Sequence, residues 1–454
     1  MTHPMRIGRS DFNTDVPHAI TGHLPAFNAD PLWFLTDCGR YNRGVLSLRI
    51  LHKKLFLLLE PADIEQVLIT DHRNFIKPEW LRTPFVNRLL GDGLVNSEGP
   101  VWRTRHDGCR HAFENSRMER YAEMISELSL QRIDTWTAGE AINLQREMTQ
   151  LTLEVAGRLL FGADPTVPDW VTEVADALDT LMVCFGSRYS LFGMGPLPAS
   201  SREIRAARRL DSVITNLISQ RLEQSGSDSQ SFARQDLVSM MPGYQCEGSD
   251  RAQLHGQVKT FLGAGSESSS VALTWALVLL AGHPEEDARL YTEVRSVLGN
   301  TMRSPTLSDL TNMPYTRAVI SEALRLYPPL WMIGRQAIEA TTIGECAIPA
   351  GGIVMTSPWL MQRSARIFSD PNTFRPERWL GSETESIPRG AYFPFGAGPR
   401  ICMGRNFAMI ESCLVLAAIV NRYQVEIPRD EPIIPWPTVT LRTPHGLRAQ
   451  LIAR

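Results

Sequence analysis

A mainly α-helical fold with small β-sheets (α+β) is what this 454-residue sequence predicts. Three observations predict it. Apolar residues recur at three- and four-residue spacing through most of residues 101–281. Short runs of strand-forming residues, bounded by turn formers, gather toward the two ends of the chain. A glycine-rich loop at 393–408 holds a cysteine just before the last apolar helix.

In order, residues 45–51 and 55–59 flank His52, Lys53 and Lys54 and predict a hairpin, and 62–70 a short helix. Helices are predicted near 117–138, 144–160, 170–185, 201–224 and 252–281, then at 284–298 and 315–326. Turn-rich breaks fall at 162–168, 193–201 and 224–231; the last is short, so it reads as a surface loop within one domain spanning 1–454. Residues 340–348, 352–355 and 370–379 read as strand and turn, 406–423 as the last helix, and the tail as a terminal hairpin.

Composition is ordinary for a globular protein, 43% hydrophobic and 21% charged. A net charge of −3 and a pI near 6.4 argue against a general nucleic-acid binder. Seven cysteines, an odd number with no C-x-x-C pair, argue against a disulfide framework or a cysteine zinc site and fit a reducing compartment. The N-terminus is polar and broken by prolines, and the longest apolar stretches, such as 271–281, fall short of a bilayer span of about 20 residues. A soluble, cytoplasmic monomer without a membrane anchor is expected.

In FPFGAGPRICMGRNFA, residues 393–408, Cys402 stands at the start of a helix, whose amides and dipole are expected to lower its thiol pKa. Gly396, Gly398 and Gly404 permit tight turning and close approach to a flat ligand. Phe395 is placed to shield the sulfur, and Arg400 to pair with an anion. On these residues alone, Cys402 reads more readily as a small buried hydrophobe, as free cysteines commonly are. A phosphate loop fits poorly, because GAGPRI lacks the third glycine of G-x-G-x-x-G.

The stretch from Phe395 to Gly404 resembles the haem-binding signature F-x-x-G-x-R-x-C-x-G of cytochromes P-450, matching every fixed position. That resemblance, running from about residue 25 to the C-terminus, implies the cytochrome P-450 fold, with haem b (iron protoporphyrin IX) between a long central helix and the cysteine-loop helix, and Cys402 as iron ligand. Three further motifs follow the family's order. Glu322 and Arg325 in SEALR match E-x-x-R, and Arg378 in FRPERW completes a structural triad; standing alone, the pair would be a surface ion pair worth little. Ala264-Gly265-Ser266-Glu267-Ser268 resembles A-G-x-(D/E)-T; Glu267 and Ser268 take the proton-relay positions, with serine departing from the usual threonine. Trp102 and His106 resemble W-x-x-x-R with histidine for arginine; with Arg335 and Arg400 they are expected at the haem propionates.

The resemblance implies a monooxygenase that inserts one atom of O2 into a small or medium-sized lipophilic molecule, of a kind met in secondary metabolism. Its pocket is expected to draw on Phe85, Phe185, Ala264, Trp331, Met332, Ile333 and Thr438. The family-like region fills the chain, so electrons are expected from a separate ferredoxin or flavodoxin with its NAD(P)H reductase. Arg103, Arg105, Arg110 and Arg117 would face such an acidic partner, or form a solvated basic face. Rival readings are a haem-thiolate peroxygenase or rearranging lyase, and a non-catalytic haem binder.

Overall fold

The computed structural model of the chain describes residues 18–41, 44–162, 167, 169–188, 199–227, 236–241, 249–443 and 446–454. The larger sheet joins both ends of the sequence. Strands β1 (Val45–Ile50) and β2 (Lys53–Leu58) pair antiparallel, Ser47 opposite Phe56. The turn falls on Leu51 and His52, with Leu51 at φ 54°, so Lys53 and Lys54 belong to the strand. Next come β3 (Ile333–Ala337) and β4 (Ile353–Thr356). β4 runs parallel to β2 and antiparallel to β3, and Phe75–Ile76 closes the sheet on β3.

The tail is not one hairpin. Trp436–Pro437 pairs with Leu441–Arg442, while β5 (Arg448–Ala453) lies between Tyr423–Glu426 and Ala141–Asn143. Residues 370–379 are not strand either. Pro371 and Pro376 remove backbone donors, and the segment turns into a short 3-10 helix at Pro376–Trp379.

The helices that frame the site are α1 (Gly99–Arg110), α2 (Met118–Asp134), α3 (Leu144–Phe161), α4 (Trp170–Arg188), α5 (Ser201–Ser227), α6 (Ser249–Gly282), α7 (Pro284–Leu298), α8 (Pro314–Leu326) and α9 (Arg405–Arg422). Their ends follow local chemistry. Asn143 accepts from the Arg146 amide at 3.1 Å to start α3, and Gly162, at φ 75°, ends it. At α8, Pro314 opens the helix, and the Glu293 carboxylate accepts from the amides of Tyr315 (2.7 Å) and Thr316 (2.8 Å).

α6 crosses the middle of the molecule against α3, α8 and α9. Its apolar stretch from Val271 to Leu280 is buried all round, as a helix apolar on every face requires. Among the described residues, Arg251–Gly282 is the one helix long and apolar enough to cross a membrane, but 78% of its apolar window is buried inside the protein. The expectation that no apolar stretch reaches that length is corrected; the expectation of a buried helix stands. Trp275 anchors it, donating from Nε1 to the Leu441 carbonyl at 2.7 Å and stacking on Tyr327 at 4.0 Å.

Candidate active site

A cavity of about 430 Å³ lies between α6 and the start of α9. Its floor is the cysteine loop. The Cys402 amide donates to Phe395 O and the Gly396 amide to Phe393 O, both at 2.9 Å, so the loop folds back on itself. Gly398, at φ 68°, passes so close to Leu68 O that a Cβ would sit 1.9 Å from it; no side chain fits there. Gly404 leaves room beside the sulfur, its Cβ position being 4.0 Å from Cys402 Sγ.

Cys402 has exposed surface, and that surface is cavity wall. Burial raises its thiol pKa; the Gly404 amide and Arg405 pull it back without overcoming burial. The expected lowering is therefore corrected: the apolar wall outweighs the helix start. A cation bound to the sulfur would reverse that balance, since a coordinating thiol is deprotonated outright.

Trp102, His106, Arg335, Phe395, Arg400, Cys402 and Gly404, predicted as one set, all line this cavity. Arg400 lies over the Trp102 ring at 3.9 Å and donates to Ser97 O at 3.2 Å and to Glu98. Trp102 and His106 stand 4.8 Å apart. Sequence reasoning missed Lys77, which lines the same corner and donates to Val95 O. Burial, then the charges of Arg400 and Arg335, push its ammonium down to about 7, with Glu98 opposing. Burial likewise lowers Arg335 to about 10. Three cations thus crowd a dry corner around one carboxylate. That surplus of positive charge, opposite a cysteine and beneath an apolar wall, fits a flat iron porphyrin carrying two carboxylates.

On the roof, Ala264, Gly265, Ser268 and Ser269 of α6 face the cavity. A Cβ on Gly265 would meet nothing within 4 Å, so there is open space over this turn. Ser268 Oγ donates back to Ala264 O at 2.8 Å. Glu267 does not reach the cavity. It is buried behind α6, accepts from Thr440 Oγ1 at 2.7 Å, and lies 3.1 Å from Arg442 Nε.

The predicted triad is fully buried. Arg325 grips both Glu322 oxygens at 2.8 Å, and Arg378 Nε donates to Glu322 at 2.9 Å. Burial opposes the Glu322 charge, but Arg325 and then Arg378 hold its carboxyl below the ordinary range. Arg325 also donates to Gln362 O at 2.8 Å, and Gln362 Oε1 accepts from the Phe393 amide at 3.1 Å. Gln362, unmarked by any motif, is the link from triad to cysteine loop.

The pocket expectations divide. Ala264, Trp331, Met332 and Ile333 line the cavity, though Trp331 is pinned by its Nε1 to Thr438 O at 2.9 Å. Thr438 does not: its hydroxyl turns back to Thr440 O, and the next residue, Val439, takes the wall. Phe85 points into the core around Leu153 and Leu181 instead. The Phe185 side chain lies outside the described residues, as do 189–192 of the segment expected beside it. Arg105 is no docking residue, being buried against Gly93 O at 3.2 Å; Arg103 and Arg110 remain exposed, and Arg117 is half-buried.

A cysteine loop beneath an open turn of a long helix, with a cationic corner between them, defines a haem-thiolate enzyme. Comparison with known proteins carries this further. The family Cytochrome P450 matches residues 14–449. Cyclooctatin synthase of Streptomyces melanosporofaciens is 32% identical over 436 residues, covering 93% of this chain and 91% of that one. Cyclooctat-9-en-7-ol 5-monooxygenase of the same organism is 32% identical over 413 residues, 89% and 87%. Pentalenene oxygenase of Streptomyces avermitilis is 29% identical over 445 residues, 96% of each. This chain belongs to the cytochrome P450 family and is a haem-dependent monooxygenase. It therefore uses O2, an apolar substrate and electrons from a redox partner.

Proposed function

We propose that this single-domain chain, acting as a monomer, hydroxylates a compact ring hydrocarbon of the terpene kind, or an alcohol derived from one. The observation that carries this is the upper cavity wall. Trp80, Leu81, Leu90, Met332, Met355 and Val439 present almost no polar group to a bound molecule. Such a wall orients by shape, and it favours the alkene and alkenol scaffolds named in the relatives over a charged acid.

The cofactor would be haem b, and the Cys402 sulfur would hold its iron. Trp102, His106, Arg335 and Arg400, joined by Lys77, hold its two carboxylates; Phe395 and Gly404 shape the space beside the sulfur. The bound haem supplies O–O cleavage and oxygen transfer, which a thiolate ligand favours. Ser268 Oγ holds and passes a proton at the open turn of α6, with Glu267 governing charge behind it. The apolar wall excludes water while substrate is bound. Electrons come from a ferredoxin or flavodoxin with its NAD(P)H reductase, docking near Arg103 and Arg110.

The test is titration of the purified ferric protein with ring terpenes, their alcohols and linear fatty acids, reading the haem absorption. Ring compounds are expected to shift it toward high spin. A shift confined to linear acids overturns the substrate reading.

A further inference from the structure

Glu98 stands just before α1, yet its carboxylate does not cap that helix. It turns to two other segments instead. Oε1 accepts from the Lys77 amide at 3.0 Å, and Oε2 accepts from the Arg400 guanidinium. Its own carbonyl accepts from the Trp102 amide at 3.2 Å. One acid thus ties together the connection that carries Lys77, the first turn of α1 and the cysteine loop.

Lys77, Arg335 and Arg400 line the cavity, and Glu98 does not. It is set back from the wall and mostly buried, with 17% of its side chain exposed. Among the described residues it is the one acid that bears on all three cations, and it favours the charged form of each. The charged neighbours on α1 are engaged elsewhere. His106 Nδ1 lies 3.1 Å from Asp107, and Arg105 is held by Gly93 O and Asp92.

The charges in this corner can be matched. With the two haem carboxylates in place, three anions meet three cations. Without Glu98, one positive charge is left over. Charges in so dry a place are screened little by solvent or salt. Reducing the iron adds one negative charge to the same site, so a leftover positive charge favours the reduced form.

We infer that Glu98 is a positioning residue that tunes the iron: through Lys77, Arg335 and Arg400 it fixes the charge balance at the haem carboxylates and so holds the reduction potential low. This rests on the reading in which those three cations hold the haem carboxylates. Glu98 exchanges neither electron nor proton. The redox partner supplies one electron, ferric iron becomes ferrous, and the fixed carboxylate sets how readily that electron is accepted.

The test uses the full-length, haem-loaded protein without substrate, below the Lys77 pKa of about 7. Spectroelectrochemical titration reads the potential of the wild type, Glu98→Gln, Glu98→Asp, Lys77→Met and the double variant Glu98→Gln with Lys77→Met. Glu98→Gln keeps an acceptor for the Lys77 amide but removes the charge. It should move the potential upward, favouring ferrous over ferric iron several-fold. Lys77→Met should move it downward. The double variant loses one charge of each sign and should return near the wild type, as should Glu98→Asp, which keeps the carboxylate. An unchanged or lower potential in Glu98→Gln overturns the inference, as does a Glu98→Asp shift equal to that of Glu98→Gln, which would mark a purely structural tie. If Glu98→Gln alone does not load haem, the double variant carries the test against Lys77→Met, and equal potentials in those two overturn the inference. The haem reading of the corner is tested apart, by the rate at which Lys77→Met and Arg335→Gln lose haem to a scavenging protein. Several-fold faster loss is expected; loss at the wild-type rate in both overturns that reading and the inference with it.

Discussion

Glu267 and Arg442 meet at 3.1 Å behind the central helix, where both side chains are almost fully buried. The Arg442 Nε–H is not aligned as a hydrogen bond, so the contact is mainly Coulombic. Arg442 reaches onward to the exposed Asp179 at 2.9 Å.

Removing one member of this pair strands the other charge in a dry setting. Glu267→Gln and Arg442→Gln are each expected to cost about 3–5 kcal/mol. The double substitution should cost clearly less than the sum of the two. Asp179→Asn, at the exposed end, should cost under about 1 kcal/mol. Urea unfolding of the four variants checks this; additive losses from the pair would sink it.

Cys402→Ala is expected to fold, because no described backbone contact of the loop uses the sulfur and the adjoining glycines keep their turn. The carbon monoxide complex of the reduced protein should lose its thiolate absorption. An unchanged spectrum would remove Cys402 as ligand.

Ser268 holds its hydroxyl by back-bonding to Ala264 O at 2.8 Å. Without threonine's methyl group, that hydroxyl is freer to rotate. Ser268→Ala should raise peroxide relative to product several-fold, and Ser268→Thr should lower it. Equal coupling in all three proteins takes Ser268 out of the proton path.

Lys77 shows how a binding site burdens the protein that carries it. Its folded-state pKa is about 7, against an ordinary 10.5. The unfolded chain therefore binds more protons between those values, so stability without haem should rise as pH goes from about 7 to 10.5. Lys77→Met should flatten that rise. It should also weaken haem affinity by roughly tenfold, the effect of losing about 1.4 kcal/mol. Thermal unfolding and haem titration of the haem-free protein read the two effects separately, and a pH profile identical in both proteins would refute the assignment.

What the sequence made legible was whatever is local. The hairpin at 45–59, the spans of the long helices and the cysteine loop all follow from near-neighbour pattern. So does the Glu322–Arg325 pair, one helical turn apart. Lys77, Gln362 and Val439 escaped because each meets the site only through distant pairings. Lys77 enters from the connection after Phe75–Ile76, and Val439 by the fold-back of the tail hairpin. Phe85 and Arg105 erred for a related reason. Periodicity marks a residue as buried or charged, and only packing decides whether it faces the cavity, the neighbouring core or a carbonyl.

The bond from Gln362 Oε1 to the Phe393 amide tests how the triad holds the iron-binding loop. Gln362 is fully buried, and its Nε2 also donates to Leu324 O and Arg325 O, both at 3.0 Å. It therefore ties the end of α8 to the start of the loop. Gln362→Glu keeps the shape and the acceptor for Phe393 but replaces a donor with a carboxylate facing two carbonyls. That is expected to cost at least about 1–3 kcal/mol, the penalty for leaving buried polar groups unpaired. Gln362→Met removes the acceptor as well, so the Phe393 amide should exchange its hydrogen faster while remote amides in α3 stay protected. Hydrogen exchange read residue by residue distinguishes the two. If both variants loosen the whole molecule equally, or neither loosens residues 393–404, the triad supports the fold without bracing the loop that carries Cys402.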